Sequence, residues 1–106
     1  MTDTRLIRIA TELRGGILGR RSSRLMCMAV SAPLQGLLSA LYSVETAIEE
    51  VAFPAGNHVW LRLSDGRILD ATADQFGLPA VYLGPIPEQY REWMERATLH
   101  EEPRDA

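Results

Sequence analysis

Residues 57–72, Asn57-His58-Val59-Trp60-Leu61-Arg62-Leu63-Ser64-Asp65-Gly66-Arg67-Ile68-Leu69-Asp70-Ala71-Thr72, read as a β-hairpin and constrain the rest of the chain. Val59, Leu61 and Leu63 alternate with His58, Trp60 and Arg62, the period of two expected of a half-buried strand. Ser64-Asp65-Gly66 supplies the reversal, because glycine takes positive φ without steric cost. Arg67-Ile68-Leu69-Asp70 then returns antiparallel. With the turn centred near Asp65-Gly66, His58 and Asp70 fall at the same open end, within a residue or two of directly opposite. Cross-strand Cβ atoms there lie about 4.5–5.5 Å apart. A carboxylate that reaches an imidazole nitrogen fixes its tautomer and stabilises its protonated form. Such a pair lacks only a nucleophile.

Cys27 is the one cysteine of the chain, and it precedes the apolar run Met28-Ala29-Val30-Ser31-Ala32-Pro33-Leu34-Gln35-Gly36-Leu37-Leu38-Ser39-Ala40-Leu41. A thiol at a helix N-terminus has its thiolate stabilised by the macrodipole and by free backbone N–H groups. Beside an imidazole it ionises near neutral pH and can attack an acyl carbon. Taken alone, a free cysteine beside Met26, Met28 and Val30 is a small buried hydrophobe. Taken alone, His58 is a strand histidine satisfied by a carbonyl, and Asp70 is a turn cap. Their coincidence favours chemistry.

Cys27 opening a helix, His58-Val59-Trp60 on a strand and Asp70-Ala71-Thr72 ending the next strand resemble the transglutaminase-like branch of the papain-like cysteine enzymes. That family places a cysteine at a helix start, a His-Ala-Trp on a strand and an Asp-Pro-Thr after the next one. The resemblance covers roughly Leu25 to Phe76 and departs from the pattern at Val59 and Ala71. It implies a Cys-His-Asp core formed by Cys27, His58 and Asp70, with a cysteine-bearing helix packed on an antiparallel sheet.

At 106 residues the chain reads as a single domain, 1–106, large enough for one core. A net charge of −3 argues against bulk affinity for nucleic acid. Six of the eleven arginines (Arg5, Arg8, Arg14, Arg20, Arg21, Arg24) fall in the first 24 residues, and there is no lysine. One cysteine forms no internal disulfide, which fits a reducing compartment. No secretory signal is read at the N-terminus, and no apolar run reaches the ~18–20 residues needed to span a bilayer. The expected location is cytoplasmic, without membrane association.

Thr2 or Asp3 caps a first helix with Leu6, Ile7, Ile9, Ala10 and Leu13 on one face, ended by Gly15-Gly16. Its arginines are either a solvated surface or a face for an acidic partner. Ile17 to Arg24 reads as a loop, from which Arg21 or Arg24 can contact a substrate carboxylate or main chain. A second helix is expected from about Arg24 to Tyr42, kinked at Pro33, with Val30, Leu34, Leu37, Leu38 and Leu41 on one face and Gly36 allowing close packing on the hairpin. Glu45 to Phe53 reads as a strand, and Pro54-Ala55-Gly56-Asn57 as the turn that delivers His58. Ala71 to Gly77 is a loop, Leu78 to Leu83 a further strand broken by Gly84-Pro85-Ile86-Pro87. Glu88 to about Leu99 is a last helix with an apolar stripe of Tyr90, Trp93, Met94 and Ala97 and outer pairs such as Glu92–Arg96. His100 and the acidic tail 101–106 read as frayed.

The expected fold class is α+β: a cysteine-bearing helix on an antiparallel sheet of three or four strands, with N- and C-terminal helices. The expected function is thiol-dependent acyl transfer on amide bonds of a protein or peptide substrate, by Cys27, His58 and Asp70, with no cofactor. Asp74 is the rival orienting carboxylate. Gln75 and Asn57 are candidate oxyanion donors beside the N–H of Cys27, and Trp60 a wall that excludes water. A non-catalytic binding or assembly module is the alternative. A metal held by Cys27, His58 and Asp70 lacks the usual ligand spacing, so no metal is expected.

Overall fold

A computed structural model of the chain describes residues 1–101; the tail residues 102–106 lie outside the described residues. The order of elements is α1 (Asp3–Leu18), α2 (Cys27–Tyr42), β1 (Thr46–Phe53), β2 (Gly56–Leu63), β3 (Ile68–Asp70), a 3-10 turn (Ala73–Phe76), β4 (Tyr82–Gly84) and α3 (Glu88–Glu101). The chain is α+β. Its four strands form one antiparallel sheet in chain order, β1-β2-β3-β4.

The first helix starts where Thr2 caps it, the Thr2 hydroxyl accepting from the N–H of Arg5. It does not stop at Gly15-Gly16 but runs on to Leu18 and ends at Gly19, whose φ of 57° is the left-handed conformation glycine tolerates. Each interior glycine costs a helix about 1 kcal/mol relative to alanine. Burial of Leu18, which only the longer helix delivers to the core, returns about 2 kcal/mol. Tertiary packing offsets the local stop signal. Leu6, Ile9 and Ala10 face inward as expected, whereas Ile7 is on the outer side.

The second helix begins at Cys27 itself, three residues later than expected, and holds Pro33 within it. Val30, Leu34 and Leu38 are fully buried, while Leu41 is exposed and Leu37 only half-buried. Gly36 lies on the exposed side with nothing within 4 Å of where a Cβ would sit, so it does not serve close packing on the hairpin.

Strand β2 starts at Gly56, two residues before His58, because Phe53 pairs with Gly56 across the tight turn Pro54-Ala55. The hairpin at 64–67 closes as expected, with Gly66 at φ 90°. The N–H of Leu63 bonds the carbonyl of Arg67 at 2.8 Å. The segment 78–83 is mostly not strand; β4 is only Tyr82–Gly84 and includes the glycine. The expected loop after Asp70 contains the 3-10 turn, and α3 extends to Glu101.

The alternation along β2 does not leave one face wet. Leu61 and Leu63, with Leu69 and Ala71, pack against α1 and α2. Trp60 and Ile68, with Phe53, pack against Tyr90, Trp93 and Met94 of α3. The sheet is therefore a middle layer, and His58, Val59, Trp60 and Leu61 are all buried. A polar group there needs a partner, since an unpaired one costs several kcal/mol. Among the described residues no helix is long and apolar enough to cross a membrane.

Candidate functional site

The register of β2 and β3 pairs Leu61 with Leu69 and Arg62 with Ile68. Continued by one residue, it sets Asp70 opposite Trp60, one diagonal step from His58 and on the same face. The side chains close that step: His58 Nε2 lies 2.7 Å from Asp70 Oδ2, with 1% and 0% of the two side chains exposed. Asp70 takes three further contacts that fix its orientation. The Tyr90 hydroxyl donates to the same oxygen at 2.7 Å. The N–H of Thr72 donates to Oδ1 at 3.1 Å, and its hydroxyl lies 3.5 Å from that oxygen. The Asp-x-Thr ending thus works locally: threonine two residues on serves the carboxylate with its main chain.

With Nε2 committed to Asp70, Nδ1 is the ring nitrogen left for another partner. The group beside it is the thiol of Cys27, the first residue of α2, close enough that thiol and ring shift each other's protonation. The hydrogen bond to His58 lowers the thiol below its ordinary value, against the opposing effect of burial. The main-chain N–H groups of Val59 and Met28 add to the lowering. Burial works to discharge His58, but the hydrogen bonds from Asp70 and Cys27 outweigh it and raise the ring from 6.5 to about 9. The two shifts favour a thiolate beside an imidazolium.

No side chain caps α2, whose N-cap residue is Met26. Helices usually gain about 1 kcal/mol from a capping oxygen. Here the first-turn N–H groups have no side-chain cap.

The imidazole sits in a cage of rings. Phe53 stacks on it at 5.6 Å between centroids, and Phe76, Tyr90 and Trp60 meet it edge-on at 4.7, 5.8 and 5.9 Å. Trp60 therefore does wall the ring, stacked in turn on Tyr90 at 5.5 Å, while its indole N–H is spent on Glu49 at 2.8 Å. Gln75 and Asn57 both line a cleft of about 620 Å³ beside the site. The amide of Gln75 bonds the carbonyl and the hydroxyl of Thr72 at 3.0 and 3.3 Å, whereas that of Asn57 spends one N–H on Glu50 at 3.4 Å and keeps its second. Asp74, the rival carboxylate, faces away from His58. It forms an ion pair with Arg14 at 2.8 Å and accepts from the Ser23 hydroxyl at 2.6 Å.

Two residues escaped the sequence reading. Tyr90 reads as one member of an apolar stripe, and nothing in its neighbourhood marks its hydroxyl as a ligand of Asp70. Arg14 reads as a solvated helix arginine, yet it donates to the carbonyls of Ala71 and Ala80 at 3.1 and 2.9 Å as well as to Asp74. It ties the segment after Asp70 to α1. Of the two loop arginines, Arg21 turns back on the carbonyls of Leu18 and Ile17, whereas Arg24 lines the cleft.

Among the described residues no three His, Cys, Asp or Glu side chains converge as ligands of one metal ion would. Comparison with known proteins finds no family model, no curated protein and no solved structure that matches this chain.

Proposed function

We propose that the chain is a thiol-dependent acyl-transfer enzyme acting on amide bonds, of the cysteine peptidase, glutamine amidohydrolase or transglutaminase-like type. The observation that carries this reading is the grouping of Cys27, His58 and Asp70: the ring is bonded to the carboxylate at 2.7 Å, and the neighbouring thiol is lowered as the ring is raised. The resemblance to the transglutaminase-like enzymes, drawn from the same three residues, supports it independently of the geometry.

His58 Nδ1 takes the proton of Cys27, and the thiolate attacks the carbonyl carbon of a carboxamide or peptide bond. The developing oxyanion is met by the N–H of Cys27 at the uncapped helix start. The C–N bond breaks, the leaving amine takes the proton from the imidazolium, and a thioester remains. Water or an amine then attacks the thioester with His58 as base, and Cys27 is released. Asp70 holds the ring in the required tautomer throughout.

One observation favours a second reading, a binding module on the same fold. The donors of Gln75 and Trp60 are spent on Thr72 and Glu49, which leaves Asn57 as the one of the three with an N–H for the oxyanion.

Alkylation and activity separate the two. Iodoacetamide at pH 6–7 should modify Cys27 much faster than free cysteine. Cys27→Ala and His58→Ala should each lower hydrolysis of glutamine-containing peptides by about 10²–10⁴-fold. A thiol no faster than free cysteine, with Cys27→Ala retaining every activity, would favour the binding module.

A further inference from the structure

We infer that the cleft beside Cys27 is a subsite for a peptide segment in which a large apolar side chain neighbours a carboxylate. As a place for the acyl donor this rests on the acyl-transfer reading; as a binding site it does not. The cleft adjoins the candidate site directly. Leu25 stands two residues before Cys27, and the rings of Phe53 and Phe76 that line the cleft also touch the imidazole of His58. Its volume of about 620 Å³ falls within the roughly 300–1,000 Å³ typical of ligand sites.

Two sets of residues define what fits. Phe53, Phe76 and Trp93 form a mutually edge-on aromatic wall, with centroids 5.2 to 5.5 Å apart, suited to a large apolar side chain. Arg24 and Arg96 also line the cleft, and among the described residues no aspartate or glutamate does. This is unusual in a chain whose net charge is −3. Arg14, Arg62 and Arg67 are held by carboxylates. Among the described residues Arg24 and Arg96 have no ion-pair partner, and the expected Glu92–Arg96 pair is not formed. Two unpaired guanidinium groups beside an aromatic wall attract a carboxylate attached to an apolar group.

Leu25 adds an independent sign. It is 88% exposed and sits at φ 63°, in the left-handed region that costs a leucine about 1–2 kcal/mol. An isolated apolar side chain held out in that conformation at the cleft rim gains nothing from the free protein's own core. An occupant with an apolar side chain would cover it.

The test is equilibrium binding to the Cys27→Ala protein, followed by tryptophan fluorescence, Trp93 being part of the wall. The probe is an acetylated, C-amidated tetrapeptide of glycine, glutamine, phenylalanine and glutamate. It should bind at least about tenfold more tightly than versions with lysine for glutamate or alanine for phenylalanine. The same glycine-glutamine-phenylalanine segment with a free C-terminus tells a terminal carboxylate from a side-chain one, and tighter binding of either acid over its amide supports the subsite. Arg24→Glu with Arg96→Glu, both exposed, should reverse the preference between glutamate and lysine. Equal binding of all the peptides, or no binding, overturns the subsite. Selective binding by Cys27→Ala, with the native protein inert towards the same peptide, would keep the subsite and defeat the acyl-transfer reading instead.

Discussion

His58 carries two hydrogen-bond partners and almost no exposure, and that combination makes its charge a structural matter as well as a chemical one. Burial opposes its protonation, yet the bonds to Asp70 and Cys27 raise it to about 9 from 6.5. A raised histidine contributes stability fully below its unfolded value and loses it as pH climbs through the folded one. The lowered thiol of Cys27 works with the opposite sign, giving up its proton on folding where His58 takes one. Stability to urea should therefore change little in the native protein between about pH 6.5 and 9, whereas in Cys27→Ala, with only the raised ring left, it should fall over that range. Adding Asp70→Asn, which removes the largest favourable contribution, should make that fall shallower, and in Asp70→Asn alone the thiol should need a higher pH to alkylate. A Cys27→Ala profile flat across this range would mean that the ring is neutral when folded. The His58–Asp70 pairing was legible in sequence because a period of two and one Asp-Gly turn place both ends of a hairpin. Tyr90 was not, although it bonds the same carboxylate. A hydroxyl on an aromatic stripe carries no short-range mark, and the contact spans twenty residues.

At the scale of elements, the segment from Ala71 to Ala80 depends on a single side chain of α1. Arg14 donates to both ends of the segment and to Asp74 in between, and Asp74 also takes the Ser23 hydroxyl just ahead of α2. One guanidinium thus ties α1 to the 3-10 turn, and Asp74 extends the tie to the approach to Cys27. Hydrogen bonds to charged groups contribute about 1.5–3 kcal/mol each when partly buried. Arg14→Ala should cost about 2–3 kcal/mol and speed amide exchange in residues 72–80. Arg14→Lys should not restore it, since an ammonium cannot span the fork. Arg8→Ala, on the exposed side of the same helix, is the control and should be nearly neutral. No change in exchange in Arg14→Ala would show that the turn holds itself. Local patterns find strands and helices by what repeats, and a clamp of this kind repeats nowhere. The length of α1 was misread for a related reason: Gly15-Gly16 signals a stop, and only the buried position of Leu18 shows why the helix goes on.

At the scale of the whole molecule, the coarse plan was legible, with two helices, an antiparallel sheet and a last helix read from periodicity. The second covered face of the sheet was not, because period-two alternation looks the same whether the outer face meets water or the aromatic side of α3. That covering has a kinetic consequence. His58 is closed off by Phe53, Phe76, Trp60 and Tyr90, its Nε2 is occupied by Asp70, and Nδ1 is the nitrogen left for the thiol. Under the proposed chemistry every proton that the ring gives or takes passes through one doorway, on the thiol side. The departing amine and the incoming acceptor must use it in turn, so the first product leaves before the second reactant arrives. Initial rates measured against donor and acceptor should give parallel double-reciprocal lines, the mark of a ping-pong cycle, and intersecting lines would mean that both are held at once.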